Sequence, residues 1–385
     1  MREAFHRGSD GTLYAEDVSL TELAADVGTP FYVYAAGALR RQARAFREPF
    51  SAGTVTAFSV KALSNIAVLA LLRQEGFGAD VVSGGELDRA LHAGIAPHHI
   101  VYSGVGKTRA ELQKALSAEI LQFNVESVAE LKMLSEIASS AGQVAPVAIR
   151  INPDIDAETL PGIATGRADD KFGVPWDRAS EVYDLAAQLP GIDPSGLDLH
   201  IGSQIMSLKP FEGATRRAAD LVHGLRERGL RIDRLDLGGG LGIPYREDDE
   251  PPEPADYAQR LAEMTDALQV QLILEPGRVI VGNAGLLVTR ITLTKSQTSK
   301  DFVVVDAGMN DLIRPALYGA RHDLMEVTQK SGERQSATIV GPICESTDDF
   351  GSDYQLTAPQ EGDLLAFKSA GAYGAVQASE YNTRP

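Results

Sequence analysis

Short apolar runs of the kind that suit strands buried on both faces recur along most of the chain. They fall at Val55–Val60, Gly78–Val82, Ile100–Ser103, Ile120–Val125, Val147–Asn152, Leu197–Ile201, Leu235–Leu237 and Leu272–Leu274. Amphipathic stretches separate most of them: Asn65–Gln74, Gly85–His92, Ala110–Leu116, Ser127–Ala138, Ala179–Leu189, Pro210–Arg228 and Ala255–Leu268. Eight strands alternating with helices predict an α/β fold, a (β/α)8 barrel of TIM type over residues 36–280. In such a barrel the functional loops lie at the C-terminal ends of the strands.

Beyond about Val279 the alternation stops, and β-rich segments follow at Leu286–Leu293, Phe302–Val305, Ala337–Val340 and Asp363–Phe367. They predict a separate all-β domain over residues 281–385. Residues 1–35 read as short strands around one helix, ending in Thr29-Pro30-Phe31-Tyr32-Val33-Tyr34, and are expected to join that domain. The acidic, proline-rich run Arg246–Asp256 is expected to be a solvated loop within the barrel.

Charge and composition narrow the partners. With 53 acidic against 36 basic residues the net charge is −17, which argues against a nucleic-acid partner. There is neither a charged-then-apolar leader nor an apolar run of about 18 residues, so a soluble, cytoplasmic chain without membrane contact is expected. The seven histidines show no HExxH or other paired metal spacing, and no metal is expected. The single cysteine, Cys344, excludes an intrachain disulfide and suits a reducing compartment.

The chemistry-bearing residues cluster at the expected strand ends. Lys61 closes the run Ala57-Phe58-Ser59-Val60, and a lysine there either snorkels past the strand end or serves as an amine with a depressed pKa that forms a Schiff base. His200-Ile201-Gly202-Ser203-Gln204 ends the sixth run, where the imidazole could stack on an aromatic ring and Ser203 could donate to a phosphate oxygen. Gly238-Gly239-Gly240-Leu241-Gly242 ends the seventh. A dinucleotide fingerprint would need glycine at Ile243 or Tyr245, so the run is either a tight turn or a backbone cradle for phosphate. Glu275-Pro276-Gly277-Arg278 ends the eighth: a carboxylate able to face a pyridine nitrogen, a glycine N–H for phosphate, and a guanidinium to clamp a carboxylate. Farther on stand Arg314-Pro315-Ala316-Leu317-Tyr318-Gly319, Gly341-Pro342-Ile343-Cys344-Glu345-Ser346 and Gly371-Ala372-Tyr373-Gly374. Cys344 is either a small buried hydrophobe or a loop thiol, and Tyr373 a packing aromatic or a hydroxyl donor.

Taken in order, Lys61, HIGSQ, GGGLG, EPGR, RPALYG, CES and GAYG resemble the pyridoxal-phosphate-dependent decarboxylases built on an alanine-racemase-like barrel, from about Tyr32 to Pro385. The resemblance implies that Lys61 carries pyridoxal 5'-phosphate, that His200 stacks on its ring and that Glu275 meets the pyridine nitrogen. Ser203, Gly238, Gly239, Gly240, Gly277, Arg278 and Tyr373 would surround the phosphate. Arg278, Arg314, Tyr318 and Tyr373 would bind the substrate, Glu345 would take an amino group, and Cys344 would donate a proton in the partner subunit's barrel across a homodimer interface. The order Cys344-Glu345-Ser346 favours meso-2,6-diaminopimelate over ornithine, and with it decarboxylation to L-lysine as the last step of lysine biosynthesis. A racemase on the same barrel, a decarboxylase of ornithine, lysine or arginine, and a non-catalytic cofactor-binding homologue are the rivals. Three positions depart from the family pattern: Leu63 where asparagine is usual, Leu160 where histidine is frequent, and Glu380 where asparagine is common. The chain also ends at Asn382-Thr383-Arg384-Pro385, before the family's usual final strand.

Overall fold

The apolar runs between Val55 and Leu274 all become parallel strands. In this computed structural model, which describes residues 4–157, 159, 163, 165–166, 170–298 and 300–384, they are Val55–Ser59, Gly78–Val81, Ile100–Tyr102, Gln122–Val125, Ala145–Asn152, Ile192–Asp198, Arg234–Asp236 and Gln271–Leu274. Each pairs with the next and the eighth pairs with the first, Ile273 opposite Val55, so the sheet closes. Closure leaves no open edge and puts all eight C-terminal ends at one rim.

Side-chain caps start several of the intervening helices within a few residues of a strand. Asn65 Oδ1 accepts the N–H groups of Ala67 and Val68 ahead of Ile66–Gln74. Ser83 caps Gly84–His92 through Glu86 N–H, and Ser127 caps Val128–Ala141 through Glu130 N–H. Thr108 and Glu111 form a reciprocal capping box at the head of Arg109–Ser117.

The sixth strand differs from expectation at both ends. It begins at Ile192 and runs through Pro194, because its pairing to the fifth strand shifts register between Asp193 and Gly196 and so tolerates the missing N–H. It stops at Asp198, which leaves Leu199, His200 and Ile201 beyond the strand. A helix at Ala36–Arg47, burying Ala38, Leu39, Ala43 and Phe46, precedes the first strand and adds to the amphipathic stretches expected.

The chain divides into two compact units: Ala43–Gly242 with Pro251–Gly277, which holds the barrel, and Met1–Gln42, Ile243–Glu250 and Arg278–Pro385. The run Arg246–Asp256 is therefore not one loop of the barrel. Its first part, to Glu250, belongs to the other unit, and Pro254 begins the helix Pro254–Thr265, where proline at the first turn forfeits no hydrogen bond.

That second unit carries a seven-stranded sheet in the order Leu324–Glu326, Leu364–Phe367, Gly285–Ser296, Asp301–Val305, Arg334–Val340, Asp349–Thr357, with Phe31–Tyr34 also on Gly285–Ser296. The sheet is mixed in direction: Asp301–Val305 and Arg334–Val340 run parallel, the other pairings are antiparallel, and the short helices Leu20–Val27 and Arg314–Tyr318 accompany it. The strand Asp349–Thr357 escaped the hydrophobic pattern because it lies at the end of the sheet and alternates buried Phe350 and Tyr354 with exposed polar residues. Leu287, Ile291, Val305, Ile339, Phe350 and Phe367 share one core here. Leu160 and Pro385 lie outside the described residues. Among those described, no helix is long and apolar enough to cross a membrane.

Gly78 shows how tightly the barrel strands meet. A Cβ there would lie 2.0 Å from the backbone oxygen of His99, at the head of the third strand, whereas one at Gly53 would meet nothing within 4 Å. Gly78→Ala is expected to cost ~1–3 kcal/mol through forced backbone displacement, and Gly53→Ala to cost far less. Thermal melts of the two variants check this, and equal midpoints would contradict it.

Candidate active site

Ser59 ends the first strand, and Val60–Ala62 turns in a single 3-10 turn that carries Lys61 over the rim. Lys61 Nζ donates to Asp80 Oδ2 at 2.7 Å; the lysine side chain is one-third exposed and the aspartate fully buried. Ser59 Oγ donates to the same oxygen at 2.6 Å, while Asp80 Oδ1 is buried without a hydrogen-bond partner among the described residues. Glu86 lies close to this pair. Burial, with the charge of Asp80 and against that of Lys61, raises its carboxyl to about 7.

His200, Gly238–Gly240 and Glu275 interlock at the ends of the sixth, seventh and eighth strands. Gly239 N–H donates to His200 Nδ1 at 3.2 Å, which leaves Nδ1 without a proton in the neutral ring. Burial, then the charges of Arg150 and Lys61, holds this imidazole well below its usual range, so it is neutral at pH 7. Gly238 has φ +63°, and a Cβ on it would sit 2.4 Å from His200 Nδ1; at Gly239 a Cβ would sit 2.1 Å from the Glu275 backbone oxygen. Glycine is thus required at both positions by contact, and at Gly238 by backbone conformation as well. Ser203 is anchored nearby in sequence, its N–H donating to Ile163 O at 3.1 Å and its carbonyl accepting from Thr159 Oγ1 at 2.7 Å.

Glu275 is the least ordinary group of the barrel. It is 4 % exposed, its N–H donates to Gly238 O at 2.8 Å, and its Oε1 accepts from Ser103 Oγ at 3.1 Å and Asn124 Nδ2 at 3.3 Å. Burial first, then the charges of Asp236 and Asp80, push its carboxyl well above the ordinary range against the pull of Lys61 and Arg150. Asp236 is raised too, by burial and by Asp198. Gly277 packs on the first strand, where a Cβ would come within 2.9 Å of Ser59 Cβ.

Arg278, Arg314, Tyr318 and Tyr373 belong to the other unit, where two further residues gather them. Arg278 donates to the Tyr245 hydroxyl and lies 4.8 Å from the Tyr373 ring centroid. Arg314 lies 5.1 Å from the Tyr245 ring and 5.8 Å from that of Tyr318. Arg314 Nε donates to His322 Nε2 at 3.3 Å, so the imidazole proton is on Nδ1, 2.9 Å from Lys368 O. Burial and then Arg314 hold His322 down at about 3, so it stays neutral beside two guanidinium groups. Cys344 and Glu345 occupy a separate, exposed loop of this unit. Cys344 N–H donates to Asn382 Oδ1 at 2.8 Å, and hydrogen bonds from Thr347 and Tyr381 lower the Glu345 carboxyl.

The barrel thus assembles Lys61, His200, Gly238–Gly240, Glu275 and Gly277, and the other unit assembles Arg278, Arg314, Tyr318 and Tyr373. Sequence patterns overlooked Asp80, Ser103, Asn124, Asp236, Tyr245 and His322. Three of these carry a signal: Asp80, Asn124 and Asp236 are polar residues flanked by apolar ones within short buried strands, where a polar side chain needs a partner. Tyr245 and His322 have none, since they meet the arginines only through tertiary folding.

The raised Glu275 carboxyl has a consequence for stability. Its folded pKa lies above the unfolded value, so in cofactor-free protein the penalty is absent below the ordinary carboxylate range, about 4.3, grows as pH rises from there toward the folded value, and is constant above it. Cofactor-free Glu275→Gln is therefore expected to melt above wild type at neutral pH, with the gap closing as pH falls toward 4. A gap that is constant or widens toward acid would contradict the assignment.

The description "Pyridoxal-dependent decarboxylase, pyridoxal binding domain" matches residues 36–282. The chain is 48% identical to the diaminopimelate decarboxylase of Vibrio cholerae over 385 residues, covering 99% of this chain and 91% of that one. A solved structure from Aquifex aeolicus superposes with a TM-score of 0.92 at 44% identity, covering 99% and 90% of the two chains. The structure of diaminopimelate decarboxylase from Helicobacter pylori complexed with L-lysine does so with a TM-score of 0.92 at 41% identity, covering 95% and 92%. The chain belongs to the pyridoxal-dependent decarboxylases, in the diaminopimelate decarboxylase family.

Proposed function

We propose that the protein uses pyridoxal 5'-phosphate to decarboxylate meso-2,6-diaminopimelate to L-lysine and carbon dioxide. The observation that carries this is Glu275: a buried carboxyl, hydrogen-bonded by Ser103 and Asn124 and raised by burial and by Asp236 and Asp80, suits a pyridine nitrogen that can take its proton. The remaining barrel residues fit the same group. Lys61 offers a primary amine, and the glycines at 238–240 and 277 let the main chain pack directly on His200, Glu275, Gly202 and Ser59, which fixes these turns at the rim.

When bound, pyridoxal phosphate supplies an aldehyde for the amine and a protonated ring that accepts the electron pair released with carbon dioxide. Lys61 would hold the cofactor and yield to the substrate's amine, and the Asp80 carboxylate 2.7 Å away orients the lysine. His200, neutral at pH 7, would stack on the cofactor ring. The backbone N–H groups of Gly240 and Gly277, with Ser203, would hold the phosphate.

Arg278, Arg314, Tyr318 and Tyr373 recognise the distal carboxylate, and Glu345, held ionised by its hydrogen bonds, takes the distal amine. Cys344 delivers a proton to the carbon that has lost its carboxylate. Family resemblance supports a homodimer in which Cys344 serves the partner's Lys61.

Carbon dioxide release from a panel of diamino acids tests the reaction. Diaminopimelate is expected to be turned over at least ~100-fold faster, as kcat/KM, than ornithine or lysine, which leave the two arginines unpaired. Comparable ornithine turnover would overturn the substrate assignment. For the shared site, Lys61→Ala and Cys344→Ala should each be nearly inactive. Co-expression should restore about a quarter of wild-type activity, because half the dimers are mixed and each mixed dimer has one intact site. Proven heterodimers that stay inactive would rule the shared site out.

A further inference from the structure

Asn124 stands in the fourth strand, fully buried, at a junction of the barrel's polar groups. Its Nδ2 lies 3.1 Å from Asp236 Oδ2, 3.1 Å from Ser103 Oγ and 3.3 Å from Glu275 Oε1. Gln122 Nε2 donates to its Oδ1 at 2.8 Å, which fixes the orientation of the amide. Asp236, equally buried, uses its other oxygen to accept the N–H of Gly238 at 2.9 Å. Gly238 is the left-handed residue that opens the glycine turn. A continuous chain of hydrogen bonds therefore runs from the glycine turn through Asp236 and Asn124 to Glu275, alongside the backbone bond from Glu275 N–H to Gly238 O. Neither Asn124 nor Asp236 has a role in the reaction described above.

We propose that Asn124 and Asp236 are positioning residues that lock the glycine turn and Glu275 into one rigid body, so that the phosphate and ring ends of pyridoxal phosphate are recognised jointly. Without Asn124, the hydrogen-bonded link between the two buried carboxyls is lost, Ser103 alone holds the Glu275 side chain, and the acid can swing away from the turn. Without Asp236, the Gly238 N–H loses its side-chain acceptor and the turn is free to relax. The effect of either loss reaches the end of the cofactor that the residue does not adjoin. This role presupposes that pyridoxal phosphate binds at Lys61.

Equilibrium dialysis of cofactor-free protein against pyridoxal phosphate and against pyridoxal, which lacks the phosphate, tests the proposal. Asn124→Ala is expected to bind pyridoxal phosphate ~10-fold more weakly, in the range typical of residues that orient direct ligands. It is also expected to narrow the preference for pyridoxal phosphate over pyridoxal, although residue 124 lies at the ring end. Asp236→Ala should do the same, and the double variant should be no weaker than the worse single one, because both break the same chain. A purely structural role would lower the melting temperature and leave the preference unchanged, and that result would overturn the proposal, as would effects that simply add. Should either alanine variant fail to fold, Asn124→Leu and Asp236→Leu take its place. Each keeps a branched side chain of similar shape, removes the same hydrogen bonds and must narrow the preference too. Wild-type protein that takes up no pyridoxal phosphate would sink the cofactor assignment, whereas wild-type binding with indifferent variants would sink the positioning role alone.

Discussion

A carboxyl group shut inside a closed barrel is costly to ionise, and the effective penalty runs to several kcal/mol per ion. This barrel encloses Asp80, Asp198, Asp236 and Glu275, all at most 4 % exposed. Around them the chain sets Lys61 on Asp80, Arg150 3.9 Å from Asp198, and the neutral donors Ser59, Ser103 and Asn124. The cations offset part of the charge and the neutral donors satisfy lone pairs. Glu275, hydrogen-bonded only by neutral side chains among the contacts resolved, is the acid for which a cationic ring nitrogen would complete the set. Ground-state strain of this kind is what a site preorganised for a charged ligand looks like before the ligand arrives.

Closure of the sheet makes the arrangement possible. Strand ends that are distant in sequence come to one rim, so a lysine after the first strand, a histidine after the sixth and an acid after the eighth can be held by backbone rather than by flexible loops. The glycine turn is bonded on one side to His200 and on the other to Glu275, which ties the neutral imidazole and the raised acid to the same piece of main chain. The other unit solves the opposite problem. Arg278 and Arg314 both lie within 6 Å of the Tyr245 ring centroid beside a His322 that is neutral at pH 7, and burial together with Arg278 depresses the Arg314 guanidinium. Two cations so placed favour an anion, and a substrate carboxylate has the matching geometry.

Much of this was legible before any coordinates. The barrel followed from eight apolar runs because parallel strands covered on both faces read as continuous hydrophobic segments. Lys61, His200, the glycines and Glu275 stood out because each follows such a run directly. What stayed hidden was of two kinds. The edge strand Asp349–Thr357 is half-exposed and so carries a diluted hydrophobic signal. Tyr245 and His322 matter only through contacts with residues far away in sequence, and no local pattern encodes those. Asn124 and Asp236 lie between: a polar residue amid buried apolar neighbours announces that a partner exists without saying which.

If the interior acid exists to face a pyridine nitrogen, that nitrogen must carry a proton in the bound state. The most direct measurement is the nitrogen-15 chemical shift of pyridoxal phosphate labelled at the ring nitrogen and bound to the protein. The account predicts the shift of a protonated pyridine in wild type across neutral pH, and of an unprotonated one when Glu275 is replaced by alanine. A ring nitrogen that is unprotonated in wild type, or whose shift is indifferent to the replacement, would contradict it.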